Sequence, residues 1–263
     1  MIVRTDAVVL RAFDYGETSR IVTLLTRRHG VIGVLARGAR RPKSRFGATL
    51  QPMAHLQVVY YHKDGRGLQT LKEAAYVERF GRLGTDVERT TVGLRMVELT
   101  RALLHENDPN APVLALLARA LAWLDGARTD GPPRAANALP WFQLRLATLL
   151  GFAPDLSRDD LDGLGDDGAL LLDTGTVAPT DAGHAALRAS RAALRAFGVF
   201  ALADLDTAGR LVLGDPVRRE VEGLVDAFLR YHTEDAYPER VRDVAGQMAR
   251  GLRAPRDSAP PAP

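Results

Sequence analysis

The stretch RIVTLLTRRHGVIGVLAR, residues 20–37, holds two apolar runs on either side of RRHG. Apolar and polar residues alternate and glycine punctuates them, so the runs read as short strands, 20–26 and 30–37, closed by a tight hairpin at 27–30. Outward from this pair the same signature recurs in TDAVVLRAF (5–13), MAHLQVVYY (53–61) and GLQTLKEAAYV (67–77). The intervening DYGE (14–17) and KDGRG (63–67) are turn chemistry, and the Asp-Gly pair suits a hairpin that requires positive φ. Gly33, inside the third strand pattern, predicts a bulge or a barrel corner, because a sheet that closes on itself must bend sharply somewhere. Five strands within the first 80 residues make one small barrel.

After residue 82 the hydrophobic period becomes helical. Residues 85–106 place Val92, Met96, Leu99 and Leu103 on one side with Arg and Glu opposite. A second helix spans 111–126, opened near Pro112 and stopped at Gly126, and a third spans 138–152 and ends at Gly151. Two more, 216–234 and 238–252, carry Pro just inside their starts. Residues 153–183, rich in Asp and Gly, read as an irregular loop excursion between helices, and RAPRDSAPPAP (253–263) as a disordered tail. The expected class is α+β: an N-terminal five-stranded OB-fold barrel over 1–80, then an all-α domain over 81–252 with the irregular insertion.

The formal net charge of +3 hides a polarised chain: residues 1–80 carry 14 Lys+Arg against 6 Asp+Glu, and the remainder 21 against 26. Between Glu17 and Asp64 there are nine Lys/Arg and no acid. The densest part is LARGARRPKSRF (35–46), where Arg37, Arg40, Arg41, Lys43 and Arg45 sit beside Gly38 on the connection between the third and fourth strands. Such asymmetry points to a polyanion, nucleic acid first. A small barrel with a basic connection fits an OB-fold oligonucleotide binder, in which cations track phosphates and a few aromatics stack bases. Phe46 and Tyr60 are the stacking candidates; Tyr60 and Tyr61 point to opposite faces of a strand, so only one of them is available.

Several classes drop out. With no cysteine there are no disulfides, thiol nucleophiles or thiolate metal sites, and the six histidines (29, 55, 62, 105, 184 and 232) never fall three to five apart. No Gly-x-Ser-x-Gly elbow or Walker loop occurs. GLGDDG (163–168) matches a dinucleotide fingerprint in letters only, because it follows no strand and would set Asp166 and Asp167 against a pyrophosphate. A calcium-loop reading fails where the first ligand should stand, at Arg158. No run approaches the roughly 18 apolar residues of a membrane span, and MIVRTDAVVL lacks a signal-peptide layout, so a cytoplasmic location is expected.

GETSRIVTLLTRRHG (16–30), LARGARRPKSRFGATLQPMAHL (35–56), MVELTRALL (96–104) and FQLRLATLLGFAPDL (142–156) together resemble the bacterial recombination mediator family RecO, over most of residues 2–156. The resemblance implies an OB-fold followed by a helical domain and binding of single- and double-stranded DNA. It further implies annealing of complementary strands, and partnership with RecR and with the acidic tail of the single-stranded DNA-binding protein. Many RecO-like proteins carry a zinc module, two Cys-x-x-Cys pairs, directly after the Gly-Phe-x-Pro-x-Leu segment. Here those places read Asp159, Asp162, Ala178 and Asp181, a donor set without thiolates, so no metal and no cofactor is expected and the packing of Leu170–Leu172 must hold the region.

These readings converge on a non-enzymatic DNA-repair mediator that anneals strands and helps load recombinase on coated DNA. Arg37, Arg40, Arg41, Lys43, Arg45 and Arg20 are expected to neutralise phosphates, and Arg119 and Arg128 to receive the acidic tail. An OB-fold RNA-binding or ribosome-associated factor is the alternative that the same basic loop allows. An Asp-rich metal hydrolase at 155–167 is the third.

Overall fold

The protein is described by a computed structural model over residues 1–127, 134–179, 186–233 and 236–238. Five strands occupy its first part: β1 (Ile2–Tyr15), β2 (Ser19–Thr26), β3 (Gly30–Ala36), β4 (His55–Tyr61) and β5 (Leu68–Glu78). They close into a barrel in the order β1-β2-β3-β5-β4. β1 is long enough to serve two neighbours, pairing with β4 along Ile2–Val8 and with β2 along Ala7–Tyr15. Its register shifts between Val9 and Arg11, and at that bulge Met53 and Ala54 bond to Val9 through the backbone. The barrel shuts where β3 and β5 run parallel, Gly33–Leu35 against Leu68–Thr70.

Gly33 is not a bulge. The β2–β3 register runs unbroken through it, and the bends fall between Val9 and Arg11, His55 and Leu56, and Val59 and Tyr60. Gly33 instead stands at the closure, where an added Cβ would lie 3.3 Å from Leu68 Cδ1 and 3.4 Å from the Gly67 carbonyl oxygen. The missing side chain admits the β5 strand rather than bending β3.

Inside the barrel, Val3, Val22, Leu24, Val34, Leu56, Val58, Tyr60 and Leu71 alternate inward from every strand. A second core joins Val8, Leu10, Leu25 and Val31 on the outside of the barrel to the helices. Three of those helices are α1 (Val87–Leu103), α2 (Ala111–Gly126) and α3 (Ala138–Leu150). Asp86 and Asn110 cap the first two, and Gly151, at φ 96°, ends the third. The barrel and the α1–α2 turn meet at Gly30, whose φ is 60° and whose added Cβ would lie 1.9 Å from the Asp108 carbonyl oxygen. Asn107 N–H donates to the Val31 carbonyl at 2.9 Å in the same contact.

The second half is not all helix, and the stretch read as a loop excursion is an α/β unit. Helix α4 (Arg158–Asp162) opens it with a capping box between Ser157 and Asp160. Strands β6 (Asp167–Leu171), β7 (Val177–Ala178) and β8 (Ala186–Ser190) form a sheet in the order β7-β6-β8. Two further elements had no counterpart in the sequence reading: α5 (Arg191–Leu202) and α6 (Leu205–Gly209). They escape notice because alanine interrupts their apolar stripe, yet Leu194, Phe197 and Phe200 are all fully buried. Helix α7 (Asp215–Thr233) matches the expected 216–234 helix. The expected helix at 238–252 lies, beyond Pro238, outside the described residues, as does the 253–263 tail.

Candidate nucleic-acid interface

The β3–β4 connection, residues 37–54, is a chain of turns and not a loose loop. Arg41, Ser44, Gly47 and Thr49 each donate a backbone N–H to the carbonyl three residues earlier, at 2.9–3.2 Å. Gly38 and Gly47 supply positive φ, 72° and 50°, where a side chain would be strained. Phe46 and Leu50, each 1% exposed, and Ala39 plug into the barrel core, and Tyr76 on β5 donates its hydroxyl to the Ala48 carbonyl at 3.1 Å. Apolar anchors therefore fix a backbone whose polar residues have no room inside.

All five cations of the connection are exposed. Arg40 is folded back on the β1–β2 hairpin, with Nε 3.1 Å from Asp14 Oδ2 and Nη1 donating to the Gly16 and Glu17 carbonyls. Arg20 takes the other Asp14 oxygen at 3.0 Å. Arg37, Arg41, Lys43 and Arg45 form no ion pair with any described residue. The described acids of the second half thus leave them unneutralised, and a positive surface faces water. Of the six predicted phosphate ligands, four are open and two, Arg20 and Arg40, are first of all struts that bind the connection to the hairpin.

The predicted stacking residues are wrong. Phe46 is 1% and Tyr60 0% exposed, Phe46 because it anchors the connection and Tyr60 because its place on β4 faces the barrel interior. Its hydroxyl meets His29 Nδ1 at 2.5 Å, and burial pushes the phenol up from its ordinary value. Tyr61, the outward member of the pair, is 47% exposed but stands on the β1–β4 side, opposite Ile2.

Sequence reasoning missed the aromatics that do face outward beside the cations. On β1, Phe13 and Tyr15 are 42% and 54% exposed, and the Arg11 guanidinium lies 5.4 Å from the Phe13 ring centre. Register puts Phe13 across from Ile21, Ile21 across from Leu35, and Leu35 across from Thr70, so one outward row crosses β1, β2, β3 and β5. The signal was present: Arg11, Phe13 and Tyr15 are spaced two apart, opposite Ala12, which packs on the barrel core. Phe13 and Tyr15 flank Asp14, to which Arg40 is bound, so the aromatic face and the basic connection meet at the β1–β2 hairpin from opposite sides of β1.

Of the two predicted tail-docking cations, Arg119 is exposed on α2, one turn before the half-buried Trp123, and Arg128 lies outside the described residues. Near Arg119 stands Arg145 on α3, which donates to the Ala203 carbonyl at 2.6 Å and lies 5.8 Å from the Trp141 ring centre. Burial, then the neighbouring Arg119 charge, lowers the Arg145 pKa, and Asp204 opposes them. Leu202, 45% exposed, completes a partly apolar, cationic surface that Arg145 belongs to and that sequence reasoning did not assign.

Residues at the zinc-module places do not suit a metal. Asp159 and Asp162 sit on α4, Asp162 is bound to Arg195 at 3.0 Å, Ala178 offers a methyl group on β7, and Asp181 is outside the described residues. Among the described residues no group of three His, Asp or Glu is arranged to hold an ion. Packing replaces it: Leu161, Leu164 and Leu170 share a core with the buried residues of α5, and Gly198 gives Leu161 the space it occupies.

Two family descriptions match the chain, Recombination protein O N terminal over residues 1–80 and Recombination protein O C terminal over residues 84–240. It is 54% identical over 249 residues to the DNA repair protein RecO of Salinibacter ruber, covering 94% of each chain. It is 34% identical over 250 residues to that of Streptomyces coelicolor, covering 88% of this chain and 94% of the relative. With that of Chloroherpeton thalassium it shares 30% identity over 266 residues, covering 94% and 99%.

Proposed function

The chain belongs to the RecO family of DNA repair proteins, and from that premise we propose that it is a non-enzymatic, cytoplasmic mediator that binds single- and double-stranded DNA and anneals complementary strands. The observation that carries this reading is the open cationic surface of the β3–β4 connection. Four cations free of ion pairs with described residues, on an anchored backbone, meet phosphates without having to give up a carboxylate; Arg45 alone also lies over a ring, 5.0 Å from the centre of Phe46. The exposed Phe13 and Tyr15 supply the π faces on which unpaired bases stack, a contact that a duplex, with its bases already stacked, cannot make. Neutralising the phosphates of two strands reduces their mutual repulsion, so pairing proceeds without a nucleotide cofactor.

In this reading the helical part receives the C-terminal tail of the single-stranded DNA-binding protein on the Arg119 and Arg145 surface, where carboxylates meet guanidinium beside apolar side chains. RecR joins the complex that loads recombinase on coated DNA. The deciding experiment is strand annealing on DNA coated with its binding protein, with and without RecR. The expected result is annealing without ATP or metal, weakened by Arg119→Ala with Arg145→Ala only when the tail is present. Equal competition by RNA and DNA of one length, with no annealing, would favour an RNA-binding factor instead.

A further inference from the structure

At the end of the barrel away from the β3–β4 connection, the β2–β3 and β4–β5 turns and Asn107 enclose a cleft of about 440 Å³. β3 runs from one end to the other, Gly30 at the cleft and Ala36 at the connection, so the two lie roughly 20 Å apart at ~3.3 Å per residue. Its rim is cationic. Lys63 and Arg66 line it, and Arg28 projects beside it; all three are exposed, and none forms an ion pair with a described residue. Acids stand close by as well: Asp64 lines the cleft and lies 3.0 Å from His62, Asp6 is bound to Arg27 at 3.2 Å, and Glu106 and Asp108 flank Asn107, so the three cations meet a ligand with acids for neighbours.

The cleft is shaped in advance. Buried Gln69 accepts from Lys63 N–H at 3.0 Å and donates to the Lys63 and Arg66 carbonyls at 3.1 and 2.7 Å, which holds both cations' backbone in one turn. Gly65, at φ 70°, and Gly67 face open space, so a ligand can approach the main chain there. His29 and His62 stack at 4.1 Å with planes 16° apart, and the Tyr60 hydroxyl fixes His29. Burial, then the neighbouring His62, lowers the His29 pKa, and the stacked pair forms a flat wall of the cleft.

We propose that this cleft is a second phosphate site, which holds the backbone of a second DNA strand while the basic connection holds the first. The inference rests on the annealing function proposed above. Cations, accessible backbone and a flat imidazole face are what a single strand uses, and annealing requires two strands on one surface. A free phosphate could exploit the same cations, so inorganic phosphate forms a separate arm of the test.

The test counts strands bound per full-length chain, using two non-complementary single strands that carry donor and acceptor dyes. The wild-type chain is expected to hold both. Lys63→Ala with Arg66→Ala should leave the first strand's affinity within about twofold, weaken the second by roughly tenfold or more, and slow annealing accordingly. An unchanged melting temperature would show that truncating this exposed turn leaves the barrel intact. Retention of both strands and of annealing by the variant would overturn the proposal. So would inorganic phosphate shifting the His62 imidazole resonances while failing to displace the second strand. If the wild type binds one strand and never two, only this proposal falls; if it binds none, the functional reading falls with it.

Discussion

The β3–β4 connection (37–54) and the segment 153–179 are both irregular, glycine-bearing and highly charged, but with opposite sign: five cations and no acid in one, seven Asp and a single Arg in the other. In the acidic segment part of the charge is spent locally, on three of the seven carboxylates. Asp160 accepts from the Ser157 N–H and hydroxyl, Asp162 binds Arg195, and Asp173 accepts from Thr174 N–H. In the basic connection Arg40 alone is bound to a described carboxylate, and the backbone is held by buried Phe46 and Leu50 instead. Charge that finds partners within its own neighbourhood shapes the fold; charge held out by apolar anchors is left for a ligand.

The sharpest way to break this contrast is to remove the anchors. Phe46→Ala should cost about 3–5 kcal/mol, because it deletes a fully buried ring and leaves a cavity at the barrel end. Leu170→Ala, the counterpart in the acidic segment, should cost about 2–5 kcal/mol. Urea unfolding measures both; a Phe46→Ala change within about 0.5 kcal/mol would mean that the ring is at the surface after all.

Removing the charges should do the reverse. Arg37→Ala, Arg41→Ala and Lys43→Ala together should leave stability nearly untouched, as for ordinary surface substitutions. They should flatten the log–log salt dependence of single-strand binding by about two units. Asp159→Asn with Asp166→Asn and Asp167→Asn should not flatten it, and an equal effect from both sets would reduce the contrast to net charge. The exposed aromatics sharpen it further: Phe13→Ala and Tyr15→Ala should each weaken single-strand binding by about 1–3 kcal/mol, and duplex binding much less. Fluorescence anisotropy on matched single and double strands separates the two.

Acid should reach the two regions in turn. The folded-state pKa values of His29 and His55 are lowered, chiefly by burial, so the unfolded chain binds more protons below the ordinary value of 6.5. The barrel's contribution is therefore complete above that value and is lost as pH falls through it. Asp160 is lowered by its Ser157 hydrogen bonds from 3.8, so its contribution is present above that value and is lost only as pH falls below it. Hydrogen exchange at stepped pH should show the barrel loosening first.

Much of this was legible in the sequence. The five strands, the hairpin turns and the end of the third helix at Gly151 are local signals, and the structure has them where period and turn chemistry place them. The run of cations was equally plain, because lack of an acid between Glu17 and Asp64 is a fact of composition. What was hidden depended on facing. Composition marks Phe46 and Tyr60 as aromatics near cations, but only the closed barrel shows that both turn inward while Phe13 and Tyr15 turn out. The segment 153–179 misled for a related reason: Asp and Gly dominate its letters, while the residues that build it, Leu161, Leu164 and Leu170, are few and spread over α4, β6 and the turn between them.

The smallest effect tests whether the acidic segment's charges are structural in the sense argued. Ser157→Ala removes the hydroxyl that accepts from Asp160 N–H and donates to the Asp160 carboxylate, so one end of the capping box is lost and the other weakened. A cap of this kind contributes about 1 kcal/mol. Helix α4 has only five residues and cannot persist on propensity, so the loss should appear as a lower urea midpoint at unchanged slope. It should shrink below pH 3.8, where the carboxylate is protonated in the unfolded chain, and it should leave DNA binding as it was. A Ser157→Ala variant with normal stability but altered DNA affinity would put the ligand at the acidic segment and reverse the roles of the two regions.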